Sequence, residues 1–414
     1  MTLLASAVNR TPAFWWTLLL FIGLGGWAST AYAQTIRTAY LLSTQGPTGT
    51  ARSLGMGGAF TALGGDMSAL TLNPGGLALM RSTQVQITPS LQVISTPTSY
   101  LGTEDAGTRV NVGVNSLGIT FAGRVDGAVD GLQSWAVGIG FNQLDNYHRR
   151  IDHTADNPLN SFTNFFANQA NTNLYTDLAG PNPPSYYGGL AWNTSLIDTQ
   201  GFIDLYEGAF EYGQIQQNVV REDRGRTNMW TLAASGNFNN RLFVGVGLNL
   251  HSLNYERTYS ITERDVADTI YTEPGTVDTS PSASAFWEDR FLTSGIGFSA
   301  TFGLVYQPTK FLRLALSVQS PSIMNVSDVS GSTVQHEFDD GDVFELETFD
   351  SEFAYQLSTP FHARMGLGFI LGKAALLSVE ANLTDYSSAS YRPDETGSNL
   401  DFLDVNERID EFLG

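Results

Sequence analysis

The chain has 414 residues, with 41 acidic side chains against 21 basic ones and a net charge of −20. Lys310 and Lys373 are its only lysines, which argues against nucleic acid as a partner, because a polyanion needs a basic surface. The lack of cysteine, together with 42 glycines and 12% aromatic residues, fits a β-protein outside the cytoplasm whose acidic loops face an external medium.

Residues 1–33 carry Arg10, an apolar run from Phe14 to Trp27, and Ala31-Tyr32-Ala33 before Gln34, the three parts of a secretory signal peptide. A run of about 14 residues is short for a spanning helix, so cleavage before Gln34 is expected. After Gln34 no stretch reaches about 18 consecutive apolar residues, so any later membrane crossing must use strands.

Residues 34–82 are expected to form a plug, or hatch. Leu54, Met56, Ala59, Phe60 and Leu63 fall at helical spacing over Ser53 to Leu63, and the glycines among them, Gly55, Gly57 and Gly58, suggest close packing against other backbone. Asn73-Pro74-Gly75-Gly76 reads as a turn: proline presets one dihedral, glycine supplies a positive φ, and the asparagine side chain bonds backbone. A dinucleotide loop does not fit, since Phe60 stands where GxGxxG needs its last glycine.

From residue 83 onward apolar residues alternate with small or polar ones. The pattern is clearest at Leu242, Val244, Val246, Leu248 and Leu250, and at Ile296, Phe298, Ala300, Phe302, Leu304 and Tyr306. It predicts nine strands, near 83–101, 109–124, 133–150, 226–238, 241–262, 290–307, 311–323, 352–371 and 375–391. A soluble sandwich also alternates, but runs of about 9 to 11 residues with aromatics at their ends favour a transmembrane antiparallel β-barrel, all-β in class. Short turns such as Asn239-Asn240 would face the periplasm, and the long loops 151–225, 263–289 and 324–351 the outside. The barrel domain is thus expected over 83–414, with an incomplete C-terminus.

Within the first long loop, Phe162, Phe165, Phe166 and Ala170 share helical spacing, as do Phe202, Leu205, Tyr206, Ala209 and Phe210. Such faces either pack on the rim or form an outer hydrophobic groove, for which Phe202, Leu205, Tyr206 and Phe210 are candidates. The five histidines show no metal-ligand spacing, so no metal, cofactor or catalytic residue is expected. Arg313, Arg364 and Glu380 fall on lumen-facing positions. They either brace the plug as ion pairs or, in the case of an arginine, bind a carboxylate.

The run ARSLGMGGAF at Ala51 to Phe60, followed by Asp66 and Asn73-Pro74, resembles the hatch of the FadL/TodX family of outer-membrane transport proteins for hydrophobic compounds. Gly75 departs from the alanine usual there. Thr359-Pro360-Phe361 before one strand and Asp385-Tyr386-Ser387-Ser388 after the next are similar to the family's later strands. The resemblance implies a monomeric barrel of about fourteen strands in the cell outer membrane, so that roughly five would be missing here. It also implies passive passage of a hydrophobic small molecule such as a long-chain fatty acid, through loop capture, hatch movement and lateral exit, amid outer-membrane lipid. The residues it singles out for ligand contact or gating are Phe60, Asn73, Pro74 and Gly75, beside a kink in the strand Trp135 to Asn142 where Gly138 and Gly140 would lie. Those two glycines could equally be lumen glycines making room for the hatch. A structural or secretion-associated barrel that binds partner proteins, and a general aqueous porin, remain the alternatives.

Overall fold

The computed structural model describes residues 36–413, except 128, 159, 200–203, 211–214, 267–269, 274–275, 279–280, 349–350, 373 and 394–401. The signal peptide and the expected start at Gln34 therefore lie outside the described residues.

The N-terminal segment comes first. It contains α1 (Ile36–Ser43), α2 (Ala51–Gly55), α3 (Ser68–Leu72) and a 3-10 turn at Pro74–Leu79. The helix expected over Ser53 to Leu63 is shorter than its apolar spacing suggested. Gly57 and Gly58 take φ of +67° and +82°, which ends α2 after five residues.

The wall opens with β1 (Gln84–Tyr100) and β2 (Thr103–Arg124); β3 (Leu132–Asn146) then continues past Tyr147-His148 as β4 (Arg149–Asn157). An outer loop follows with α4 (Phe162–Ala170), α5 (Tyr175–Leu178), α6 (Tyr186–Asn193) and the hairpin of β5 (Ile197–Thr199) and β6 (Tyr206–Gly208). Next come β7 (Ile215–Phe238), β8 (Leu242–Asp265), the hairpin β9 (Ile270–Glu273) and β10 (Thr276–Asp278), and β11 (Ser282–Thr309). The chain ends with β12 (Leu312–Gln319), β13 (Ile323–Phe338), β14 (Val343–Glu347), β15 (Ser351–Ser358), β16 (His362–Leu371), β17 (Ala375–Thr384), β18 (Ser390–Pro393) and α7 (Leu403–Leu413).

One antiparallel sheet of fourteen strands contains the path β1-β2-β3-β7-β8-β11-β12-β16-β17, whose nine members correspond to the nine expected strands, while β4, β13, β14, β15 and β18 pair off this path. The sheet curls into a half-barrel around the N-terminal segment, called the hatch below after its expected role. The hatch touches β8 and β11 through Gly75, β16 through Ala62 against Gly366, and β17 through Glu380. No helix among the described residues is long and apolar enough to cross a membrane. Leu248, Ile296, Phe298, Met365 and Leu383 are exposed on the convex face, where the alternation places the apolar side of each strand.

Several boundaries differ from the sequence reading. The strand expected over 352–371 is broken at Thr359-Pro360-Phe361, and that over 375–391 at Asp385–Ala389 by a 3-10 turn. The strand expected over 311–323 breaks at Ser320-Pro321-Ser322. These breaks lie at one level, because Gln319 pairs with His362 and His362 with Thr384, while Ile323 pairs with Ser358 and Ser358 with Ser390. Residues 324–351, expected as a loop, include most of β13, which pairs with β11, β14 and β15. The expected loop 151–225 is shortened at both ends by β4 and β7, which pair from Arg149↔Asp223 to Asn157↔Ile215. The expected loop 263–289 is likewise shortened by β8 and β11. The C-terminal tail folds as α7, whose buried Ile409 joins Phe402 in an apolar cluster with Leu253, Tyr255 and Tyr391.

Helix α4 forms where Phe162 to Ala170 predicted it, capped by Ser161. The second expected loop helix does not form, because residues 206–208 pair as β6 with β5. A spacing of four serves one face of a strand as well as one of a helix. Gly208 also lets β6 press on α4, since a Cβ there would stand 2.8 Å from the Thr163 carbonyl carbon.

Candidate functional site

The hatch is fastened to the wall by polar side chains. Asn73 Nδ2 donates to Thr61 O at 2.9 Å, within the hatch, and to Leu304 O on β11 at 3.1 Å, while its Oδ1 accepts from Gly75 N. Glu380 on β17 accepts from the backbone N–H of Phe60 and of Thr61 at 3.0 and 2.9 Å. Arg313 on β12 donates to Leu63 O at 2.6 Å. Arg313 and Glu380 thus hold hatch backbone rather than forming an ion pair with each other.

Phe60, Asn73, Pro74 and Gly75 are all buried in this contact. The turn at Asn73 to Gly75 was expected beside β3, but it packs on β8 and β11. A Cβ on Gly75 would lie 2.8 Å from Gly303 O and 3.0 Å from Phe243 O, and Gly245 and Gly303 close directly on Pro74 and Asn73. Gly138 and Gly140 mark no kink: they sit in unbroken ladders opposite Thr120 and Gly118 and face Leu70 of α3. The turn prefers β8 and β11 because only glycine backbone on both sides permits so close an approach.

The wall does part nearby. The β2–β3 ladder runs from Arg124↔Ser134 to Ser116↔Asn142 and stops there. Above this point β2 leaves β3 and overlaps β4, with Gly107 against the Arg150 backbone. Residues 45–49 of the N-terminal segment fill the gap on the inside. Thr48 Oγ1 donates to Gln143 O at 2.8 Å, Gly46 N to Leu144 O at 3.2 Å, and Asn115 Nδ2 to Gly49 O at 2.6 Å.

Two cavities lie on either side of that segment. One, of about 340 Å³, is lined by Gln45, Leu72, His362, Arg364 and Glu380; the other, of about 500 Å³, by Leu91, Val93, Asn115 and Gln143. Gly46 and Pro47 line both. In the first, Arg364 is only 8% exposed and its Nη2 donates to Gln45 Oε1 at 3.1 Å, while its Nη1 is buried without a partner. His362 binds Thr384 Oγ1 through Nδ1 and leaves Nε2 unpartnered. The sequence reading named Arg364 but passed over Gln45 to Thr48, whose one signal, the Gly46-Pro47 pair, reads as an ordinary linker break.

The outer loop is closed by packing. Tyr206 and Phe210 are 4% and 3% exposed and join Phe162, Phe166, Leu178 and Ile197 in one core, so they fill the loop instead of lining an open groove. Leu205 is exposed, and Phe202 lies outside the described residues. Glu263 ties this core to β8, accepting from Phe162 N at 2.8 Å and from Ser161 and Gln217. Burial pushes its carboxyl above the ordinary range, and those three donors oppose the shift.

Among the described residues no group of three or more metal-ligating side chains is gathered. No protein-family model matches the chain, and no curated protein matches it. Among solved structures it is similar to the Pseudomonas putida toluene transporter TodX, at 12% identity and a TM-score of 0.42 over 85% of this chain and 75% of that one. It is also similar to a TodX deltaS2S3 mutant described as a monoaromatic hydrocarbon channel, at 12% identity and a TM-score of 0.43 over 83% and 73%.

Proposed function

We propose that this chain is an outer-membrane protein that passes hydrophobic small molecules, long-chain fatty acids among them, from outside to periplasm without chemistry. On this reading residues 34–82 are the hatch and the rest of the chain is wall and outer loops. The observation that carries it is the segment Gln45 to Thr48, one strip of chain dividing a lumen cavity from a cavity in the parted wall. Displacing that strip would join the two into a path that leaves sideways between β2 and β3, into the apolar layer where such a ligand is soluble. Held by two hydrogen bonds to β3, one from Asn115 and one from Arg364, the strip is fastened by few bonds, each contributing about 1 kcal/mol net. The unpartnered Arg364 Nη1 supports an acidic head group, since a carboxylate supplies the acceptor that the buried donor lacks. The TodX names, which describe transport of toluene and of monoaromatic hydrocarbons, agree with an apolar ligand.

Uptake measurements on cells carrying the protein test the proposal. Labelled oleate should enter while a labelled disaccharide does not, and Arg364→Gln should lower oleate uptake more than uptake of an uncharged alkane of equal length. Disaccharide flux equal to oleate flux would make the protein a general pore and end the proposal.

A further inference from the structure

On the outer face of β7 the side chains change character along the strand. Met229, Thr231 and Ala233 are buried toward the lumen, so the even-numbered residues face out: Leu232 and Trp230 in the apolar band, then Arg226, Arg224 and Glu222 beyond it. Strand β4 adds Arg150 beside Glu222, with Asp152 next on the same face, and the overlapping β2 adds Arg109. Glu222 pairs with Arg109, with Arg224 at 2.6 Å and with Arg150 at 3.4 Å; Arg150 also reaches Asp152 at 2.6 Å.

The acceptors do not suffice for these donors. Four guanidiniums meet Glu222, Asp152 and, across the β7–β8 ladder from Arg224, Glu256. Arg226 makes no ion pair among the described residues, and Arg109 Nε is buried without a partner. Burial and the charges of Arg224 and Arg150 disfavour the charged form of Arg109, so an added anion would relieve real repulsion. In a chain of net charge −20 this corner has the opposite sign.

On the same convex face, about 20 Å along β7 as the strand runs from Arg226 to Leu232, lies an apolar hollow of about 640 Å³ lined by Leu232, Ala234, Val246, Leu248, Phe302 and Val318. Small residues at Ala234 and Ala300 leave the floor low between taller neighbours. Arginines at the edge of an apolar band, above a hollow that accepts hydrocarbon, match a molecule with a multiply charged head and acyl tails. A phosphate carries more charge and more acceptor oxygens than a carboxylate, so it can engage several of these guanidiniums beside Glu222 and Asp152.

We propose that Arg109, Arg150, Arg224 and Arg226 bind the phosphorylated sugar head of an outer-leaflet glycolipid, one of whose acyl chains lies in the hollow at Leu232 and Val246. This site rests on the outer-membrane reading above. It is separate from the transport path, because it lies on the convex side of β7, while the lumen cavity at Arg364 lies on the concave side.

The test is to fractionate membranes, purify the full chain from them and count phosphorylated glycolipid per protein by mass spectrometry. Arg226→Gln removes a side chain without an ion partner, so folding is preserved. It should lower retained glycolipid about fivefold, and Arg224→Gln with Arg226→Gln about tenfold or more. Arg241→Gln, at the far turn, should change nothing, and zwitterionic phospholipid should stay constant in every variant. Recovery in the outer-membrane fraction with glycolipid unchanged by R226Q and by the double variant overturns the site alone. Recovery of the wild-type protein in another fraction overturns the membrane reading, and the site falls with it.

Discussion

Glu222 and Asp223, adjacent on β7, face opposite sides of the wall, and each gathers its own arginines. Glu222 pairs with Arg109, Arg150 and Arg224 on the convex side, and Asp223 with Arg149 and Arg221 on the concave side. Strand alternation forces the split, since successive side chains point to opposite faces. The consequence is that Arg109 ties β2 to β7 on the convex side at the level where β2 has left β3, while on the concave side Arg149 reinforces the β4–β7 ladder.

Asp223 is 3% exposed and accepts from Arg149 at 2.7 Å, from Arg221 at 3.1 Å and from Tyr255 OH at 2.8 Å. Burial pushes its carboxyl up, but the Arg149 and Arg221 hydrogen bonds and the Arg221 charge outweigh this and hold it below the ordinary value. A lowered folded pKa contributes stability that is present above about pH 4 and lost as pH falls through the folded value. Asp223→Asn should therefore cost about 1–2 kcal/mol at pH 7, because it removes the charged acceptor of the half-buried Arg221 and of the more exposed Arg149. The gap from wild type should close toward pH 3 in thermal unfolding of detergent-solubilised protein. A gap that is unchanged at pH 3 would remove Asp223 as the titrating group.

The glycines that matter to the hatch are Gly245 and Gly303, which touch Pro74 and Asn73 backbone or side-chain atoms directly. Valine at either must push the turn off β8 and β11, a strain of about 1–3 kcal/mol or more, whereas valine at Gly138 meets Thr120 Oγ1, the Ile119 carbonyl oxygen of the neighbouring strand and the end of Leu70, and none of the turn's own atoms. Hydrogen exchange over residues 60–79 should rise strongly in G245V and G303V and only slightly in G138V. Equal exchange in all three variants would mean the turn is not seated on β8 and β11.

Helix α7 is held by few groups. Ile409 is fully buried, Phe402 stacks on Tyr391 with ring centres 5.8 Å apart, and Asn406 bonds both Tyr391 N and O at 2.8 and 2.9 Å. Ile409→Asp buries a charge without a partner and should release the helix, exposing 403–413 to protease while β7 and β8 keep their exchange protection. Loss of protection across the whole sheet would show instead that α7 supports the wall.

The nine-strand wall was legible in the sequence because alternation reports which side of a strand is oily, and that side is the same whatever the neighbours. What alternation does not report is continuity. Leu314, Leu316 and Val318 are exposed at even positions and Ile323 at an odd one, yet Met324 and Val326 keep apolar residues at even positions, so only Pro321 hints that β12 ends and β13 begins. Tyr206 and Phe210 misled for a related reason, as their spacing of four fits both periods. Gly138, Gly140, Gly245 and Gly303 look alike along the chain, and which pair meets the hatch turn depends on how strands far apart in sequence curl around it. Gln45 to Thr48 were passed over because their importance comes from Gln143 and Leu144, about a hundred residues away, and not from their own chemistry.

The most direct measurement of the central claim locks the dividing segment to the wall. The chain has no native cysteine, so Thr48→Cys with Gln143→Cys introduces the only pair available for a disulfide between the dividing segment and β3, where Thr48 Oγ1 bonds the Gln143 main-chain oxygen. With bond formation verified by mass spectrometry, oxidised protein should take up labelled oleate about tenfold more slowly than reduced protein, and reductant should restore the rate. Equal uptake by the oxidised and reduced forms would contradict the account, because the ligand would then cross without moving the strip between the two cavities.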